Sequence, residues 1–215
     1  MSDEKSSEKP VIEAVKNASF KVSRLQNLYN SRGEKIPTKE TFWLCRCGHS
    51  ENKPFCDGRH KQVGFSDEKS DDRVAYHWKD YTGKEITVHD NRGLCSHSAE
   101  CLKNLPAVFD NQRKPWVLPD AATVEKVIET IKKCPSGALG YSVTGEKYVA
   151  FGGEPAVHIA RNGPLNVTGG IEYKDGDNNL PDTTDHYSLC RCGKSKNKPF
   201  CDGTHRIIHF RDDKN

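Results

Sequence analysis

Six of the nine cysteines fall into two identical spacings, each closed by a histidine: Cys45, Cys47, Cys56 and His60, then Cys190, Cys192, Cys201 and His205. Soft thiolates with an imidazole suit zinc or iron–sulfur chemistry. Structural zinc sites usually leave two to four residues between the first pair of cysteines. Here one residue intervenes, in Cys45-Arg46-Cys47 and Cys190-Arg191-Cys192. Such a pair suits two ligands on one iron of a two-iron cluster, with Cys56 and His60 (or Cys201 and His205) on the other. Spacing alone leaves zinc open. The remaining cysteines are Cys95, Cys101 and Cys134. Bacterial ferredoxins hold a cluster with C-x2-C-x2-C and a remote Cys followed by Pro. Cys95 and Cys101 occupy the first and third loop positions, Ser98 stands at the second, and Cys134-Pro135 supplies the remote ligand. Three thiolates match a 3Fe–4S cluster. A 4Fe–4S cluster stays open if water, Ser98 or His97 fills the fourth position.

The paired sites sit in a repeat. LCRCGHSENKPFCDGRH (44–60) and LCRCGKSKNKPFCDGTH (189–205) differ only at His49/Lys194, Glu51/Lys196 and Arg59/Thr204. The match continues faintly through Phe20/Leu165, Val22/Val167, Phe42/Tyr187 and Phe65/Phe210, so segments of about 17–66 and 162–211 are two copies of one unit. Pro54 and Pro199 stiffen the approach to the third ligand. Asp57 and Asp202 are candidate N-caps, expected to accept the peptide N–H of His60 or His205. Gly58 and Gly203 would let the backbone approach the cluster.

Cys-x-Cys…Pro-Phe-Cys-Asp-Gly-x-His resembles the CDGSH iron–sulfur (mitoNEET-like) family. Arg59 and Thr204 stand where Ser is common, at a position that is not a ligand. The resemblance implies a 2Fe–2S cluster per copy, held by three Cys and one His in a small β-rich fold. It also implies that two copies in one chain fold back as an intramolecular pseudo-dimer. The segment from about Tyr81 to Tyr141, through CSHSAEC, LPAVFD, Lys114-Pro115-Trp116 and CPSGAL, is similar to the divergent single-cluster ferredoxin-like domain of bacteria.

The elements that must position these residues are short. Val124, Val127, Ile128 and Ile131 recur at i, i+3, i+4 and i+7, which predicts one amphipathic helix. Asp120 is its expected N-cap, Lys132 and Lys133 complement its C-terminal dipole, and Pro135 stops it. Strand-like pattern begins at Val74. Asp67–Arg73 reads as a charged linker, Gly152-Gly153 as a turn, and 175–185 as a polar loop. The first ten residues and the final Asp-Asp-Lys-Asn are expected to be mobile. The expected architecture is α+β: CDGSH units at 11–66 and 153–215 forming the pseudo-dimer, with a ferredoxin-like βαβ unit at 74–152 between them.

Composition narrows the function. Only 34% of the 215 residues are apolar and 29% are charged, with a mean hydropathy of −0.81. Modules with thin cores usually need metal or disulfide staples. The net charge of +3 is spread along the chain without a basic stripe and interleaved aromatics, so nucleic acid is not expected. No apolar run is long enough to span a membrane, and the polar start lacks the features of a signal or transit peptide. The expected location is the cytoplasm, where clustered cysteines read as metal ligands and an odd number cannot all pair. Trp43, Trp78 and Trp116 are expected to be core or cluster-shielding aromatics. His97 reads as a surface or packing residue unless it is the fourth ligand, and His49, His77, His89, His158, His186 and His209 as ordinary histidines. No nucleophile elbow, phosphate loop, dinucleotide fingerprint or HExxH motif is present. The chain therefore reads as a monomeric, non-enzymatic one-electron carrier serving an unidentified redox partner. The alternatives are a cluster donor or redox/iron sensor, and a zinc-stabilised interaction module.

Overall fold

The computed structural model describes residues 9–215, so most of the expected mobile N-terminus lies outside the described residues. Within the CDGSH copies several strands alternate inward and outward side chains, whereas His186–Leu189 of the second copy is buried throughout. In the first copy the strands are β1 (Val11–Ala14), β2 (Phe20–Ser23), β3 (Leu28–Tyr29) and β4 (Thr41–Leu44). The ferredoxin-like unit contributes β5 (Trp78–Thr82), β6 (Thr87–Asn91), β7 (Leu139–Val143) and β8 (Glu146–Tyr148). Its helices are α1 (Glu100–Asn104) and α2 (Val124–Lys132). The second copy supplies β9 (Ala156–Ile159), β10 (Leu165–Thr168), β11 (Glu172–Asp175), β12 (His186–Leu189) and a short α3 (Thr204–Ile207). The fold is α+β, mostly β.

Neither copy closes its own sheet. One sheet runs β11-β1-β2-β4 and the other β12-β10-β9-β3. Each is an antiparallel set of three strands from one copy with a strand of the other added in parallel, β11 along β1 and β3 along β9. Leu28 and Ile171, both fully buried, bring these exchanged segments into one core with Ile12, Phe20, Val22, Val157 and Leu189. The pseudo-dimer thus has a single core, and its two halves are interlocked.

The two cysteine loops meet back to back. Gly48 and Gly193 both have positive φ, at +81° and +77°. A Cβ on Gly48 would lie 2.6 Å from Cys192 O, and one on Gly193 would lie 2.4 Å from Cys47 O. Glycine there satisfies both the backbone conformation and the approach. Arg46 and Arg191, inside the Cys-x-Cys pairs, are each only 3% exposed. Arg46 Nη1 lies 3.3 Å from Asp67 and its guanidinium stacks over Phe20 and Phe65. Arg191 pairs with Asp212 and stacks over Phe210. Burial pulls the Arg191 pKa down despite Asp212.

These pairs correct two expectations. Asp67 is not free linker but an ion-pair anchor, held also by Lys16 and the Asn17 amide. The final four residues are not mobile: Asp212 and Asn215 are buried, Asn215 Nδ2 donates to Asp212 at 3.1 Å, and Lys214 Nζ donates to Glu51 O at 2.7 Å. Lys9 O and Pro10 O likewise accept hydrogen bonds, from Arg24 and Glu172. The apparent linker continues across the second copy, where Ser70 N donates to Lys196 O and Asp72 pairs with Lys196.

The inserted unit has its own core, in which Val127 and Ile131 of α2 are fully buried and Val124 and Ile128 pack at its margin. The helical segment lies between β6 and β7 in the chain, and those strands pair antiparallel in the order β5-β6-β7-β8. Three local expectations fail. Thr123, not Asp120, precedes α2; the Asp120 carboxylate accepts from Lys84 N at 2.8 Å instead. Val74 is 60% exposed and the first strand starts at Trp78, because Val74–His77 has no strand partner. Trp43 is 48% exposed, because it is the outward residue of β4. Trp78 is half-buried under Lys147, and Trp116 is packed on the inserted core. No helix of the described residues is long and apolar enough to cross a membrane.

Removing one partner of a buried ion pair strands the other charge, at a cost of about 3–5 kcal/mol. Asp212→Ala is therefore expected to lower the urea midpoint of the cluster-loaded protein well below that of the wild type. The double change Arg191→Met with Asp212→Leu should recover much of the loss. Equal midpoints for wild type and Asp212→Ala in anaerobic urea titrations followed by circular dichroism would contradict the role given to this pair.

Candidate iron–sulfur sites

In each copy the strand preceding the motif delivers the first cysteine straight into the loop. β4 ends at Leu44 and β12 at Leu189, one residue before Cys45 and Cys190. Cys45 N donates to Pro54 O and Cys56 N to Trp43 O, both at 2.8 Å, and Cys190 and Cys201 make the corresponding bonds to Pro199 and Ser188. The loop is thereby folded back on the strand, which brings the second ligand pair beside the first.

The ligands form pairs. Sγ atoms of Cys45 and Cys47 are 3.7 Å apart, as are those of Cys190 and Cys192. Cys56 Sγ lies 3.5 Å from His60 Nδ1, and Cys201 Sγ 3.4 Å from His205 Nδ1. Two thiolates about 2.3 Å from one tetrahedral ion should be about 3.7–3.8 Å apart, and a thiolate with an imidazole nitrogen about 3.5 Å apart. Each pair therefore fits one ion, with Nδ1 as the histidine ligand. Among the described residues, no three His, Cys, Asp or Glu side chains converge on a single point for one ion.

One thiol of each Cys-x-Cys pair is prepared to bind as the thiolate. Cys45 is pushed down to about 6, chiefly by the hydrogen bond from Cys47, with further N–H donation from Ser50 and Gly48. Cys190 is likewise lowered to about 6 by Cys192, with help from the amides of Ser195 and Gly193. The partners Cys47 and Cys192 are raised by that same shared proton and by burial. Burial raises Cys201, whose sulfur accepts from Gly203 N at 3.5 Å. Such N–H···S bonds and burial are the levers that set cluster potentials.

The aspartates of the motif act differently from expectation. Asp57 and Asp202 each accept the amide of the residue two on, Arg59 at 3.2 Å and Thr204 at 2.9 Å, not that of the histidine. Their second oxygens accept Glu51 N and Lys196 N at 2.8 Å. Each aspartate thus clamps the two limbs of the loop together and leaves the histidine to the turn that follows. Gly58 and Gly203 adopt φ of +89° and +85°, so backbone conformation is one reason for glycine there.

In the inserted unit Cys95, Cys101 and Cys134 gather around one small cavity, also bounded by Ser96, Ser98, Ala99, Trp116 and Ser136. Cys95 follows a short turn after β6, Cys101 lies in α1, and Cys134 follows α2. The connecting loop places His97 and Ala99 at positive φ. Burial raises Cys95, and raises Cys101 to about 12 with the other two sulfurs adding to the shift. Of the expected fourth ligands, Ser98 Oγ accepts from Glu100 N at 3.4 Å and the His97 ring lies against Gly203. Ser96 was not singled out by spacing. It is 2% exposed, its Oγ has no hydrogen-bond partner, and it borders the cavity. Asp90, also at the cavity, is pushed up to about 6 by burial and accepts from Trp116 Nε1 at 3.3 Å.

A family profile described as "Iron-binding zinc finger CDGSH type" matches residues 17–61 and 162–206. A second, "Divergent 4Fe-4S mono-cluster", matches 81–144. The chain belongs to the CDGSH iron–sulfur family and carries a divergent single-cluster ferredoxin-like unit between its two motifs. The Escherichia coli K12 protein described as "Uncharacterized protein YjdI" is 44% identical over 61 residues, which span 28% of this chain and 80% of that protein. Its counterpart from Escherichia coli O157:H7 matches to the same extent.

The two CDGSH copies differ in shelter. Cys56 and His60 are half-buried, whereas Cys201 and His205 are buried. Burial holds His205 down to about 4. A histidine ligand binds in its neutral form, and a lowered pKa keeps it neutral to more acidic pH. Cluster absorbance is therefore expected to fall in two steps as pH drops, with the Cys201–His205 site outlasting the Cys56–His60 site. A visible-absorbance titration of His60→Cys and His205→Cys variants would identify the steps. Loss of both sites in one step, unaffected by either variant, is the contrary result.

Proposed function

We propose that this protein is a non-enzymatic one-electron carrier with a 2Fe–2S cluster in each CDGSH copy and a third cluster on Cys95, Cys101 and Cys134. The observation that carries this reading is the division of each ligand set into two chelating pairs rather than one quartet around a single ion. That division also argues against the zinc-stabilised module. A resident cluster would supply reversible one-electron storage. The chain's own contributions are the backbone donors to sulfur, the burial, and the substitution of imidazole for one thiolate. Neutral imidazole leaves a cluster less negative and raises its potential relative to an all-thiolate site.

The three-thiolate set fits 3Fe–4S. The unsatisfied, buried Ser96 hydroxyl and the "4Fe-4S" description of the matching profile favour a 4Fe–4S cluster with an oxygen donor at its fourth corner. The partner is proposed to be a redox protein, met by a monomeric chain in a reducing compartment. The half-buried Cys56–His60 edge supports a second reading, that the first copy donates its cluster.

Anaerobically purified protein is expected to contain about seven (3Fe–4S) or eight (4Fe–4S) iron atoms and about eight acid-labile sulfides per chain. EPR of the oxidised protein separates 3Fe–4S from 4Fe–4S, and Ser96→Ala should shift a 4Fe–4S signal toward 3Fe–4S. His60→Cys or His205→Cys should lower the potential of its own site in voltammetry. A colourless protein with one zinc ion per motif would overturn the reading. Cluster transfer to an apo-ferredoxin, unaffected by reductant, would favour donation.

A further inference from the structure

The two copies share a ligand set but not a neighbour. The ferredoxin-like unit packs on the second. Asn197 Nδ2 donates to Tyr76 Oη at 2.9 Å and to Gly93 O at 3.3 Å, and Ser188 Oγ donates to Pro135 O at 3.3 Å. His97 also reaches across to the second copy, beside its candidate ligands. This residue stands two positions after Cys95, at a φ of 56° that non-glycine residues seldom adopt. Its ring crosses to the other unit and rests on Gly203, where a Cβ would come within 2.4 Å of His97 Cδ2. Arg206, beside the ligand His205, donates to His97 O at 2.6 Å. Cys95 is close enough to Cys201, and His97 to His205, for the charge of each to act on the other. The corresponding glycine of the first copy, Gly58, has the same backbone conformation and nothing within 4 Å of its would-be Cβ. Glycine at 203 therefore serves an approach that its twin does not make.

We infer that His97, seated on Gly203 and held by Arg206, is a positioning residue that couples the Cys95–Cys101–Cys134 site to the second CDGSH site and not to the first. This rests on the electron-transfer reading above. One electron from a low-potential donor protein enters at the three-thiolate site. It leaves that site across the His97–Gly203 contact and reduces the Cys201–His205 site by one electron. The first site is thereby reoxidised, and no proton or covalent bond changes place. The direction is part of this inference: imidazole ligation raises the potential of the Cys201–His205 site above that of an all-thiolate cluster of the same type, which suits it as the acceptor.

The test uses the full, cluster-loaded chain and a laser-flash pulse of photoreduced deazaflavin that delivers less than one electron per chain, read by freeze-quench EPR. In the wild type the three-thiolate signal should decay into a 2Fe–2S signal at a rate independent of protein concentration. His97→Ala, at unchanged iron and sulfide content, should slow this step about tenfold or more, and His97→Phe, which keeps an aromatic ring on Gly203, should restore much of it. Arg206→Ala, which changes no residue of the Cys95 loop but removes the hydrogen bond that holds it, should slow it in the same direction and keeps the test open if His97→Ala loses its cluster. His205→Cys should hold the electron on the three-thiolate site, whereas His60→Cys should not. Wild-type rates in His97→Ala and Arg206→Ala, or equal effects of His60→Cys and His205→Cys, would overturn the coupling while leaving electron transfer intact. Failure of every site to accept an electron would remove both readings.

Discussion

The constraint on which everything else rests is that neither CDGSH copy can complete a sheet alone. β3 and β11 are given up by their own copies and lie in parallel along β9 and β1 of the other. Parallel neighbours cannot be joined by a tight turn, so the exchange is possible only between copies that already lie side by side. The result is one hydrophobic core where two thin ones would fail, in a chain with 34% apolar residues. The same exchange brings the Cys-x-Cys loops together at Gly48 and Gly193, within a distance that admits no side chain.

Charge is arranged around this seam with equal economy. The residue between the paired cysteines is an arginine in both copies, buried against an aromatic ring and paired with an aspartate from a segment that looks like tail or linker. Arg191, held this way, has its positive charge close enough to Cys45 and Cys192 to favour their ionised forms. Desolvation alone would favour their protonation. Backbone amides of Gly48, Ser50, Gly193 and Ser195 add to that support. The ligand loops are thus electrostatically prepared by groups outside the ligand set, and those groups come from segments distant in sequence.

The inserted unit breaks the symmetry. By packing on the second copy it shelters Cys201 and His205 and leaves Cys56 and His60 at the surface. Chemically equivalent ligand sets therefore acquire different solvent access, and only one of them gains a neighbour with sulfur ligands of its own. A duplicated site made unequal by an inserted domain can divide roles that a homodimer of single-motif chains would have to share.

The pairing of the candidate ligands, the repeat and the amphipathic helix were legible in the sequence because each depends on local spacing. Cys-x-Cys with a following Cys-x3-His brings donors together within one loop, and Val124, Val127, Ile128 and Ile131 mark one face of one helix. The pseudo-dimeric α+β arrangement was legible through family resemblance. What spacing could not reveal were contacts made across long sequence separations. Asp67 and Asp212 looked like solvated charges until the fold laid them on Arg46 and Arg191. Ser96 and Ser98 are indistinguishable by type, and only the cavity shows which hydroxyl is buried without a partner. Trp43 is as apolar as its neighbours, yet it faces out because strand parity outweighs residue type. Local chemistry is written along the chain, whereas burial, exchange of strands and the inequality of the two copies arise only when distant segments exclude water from one another.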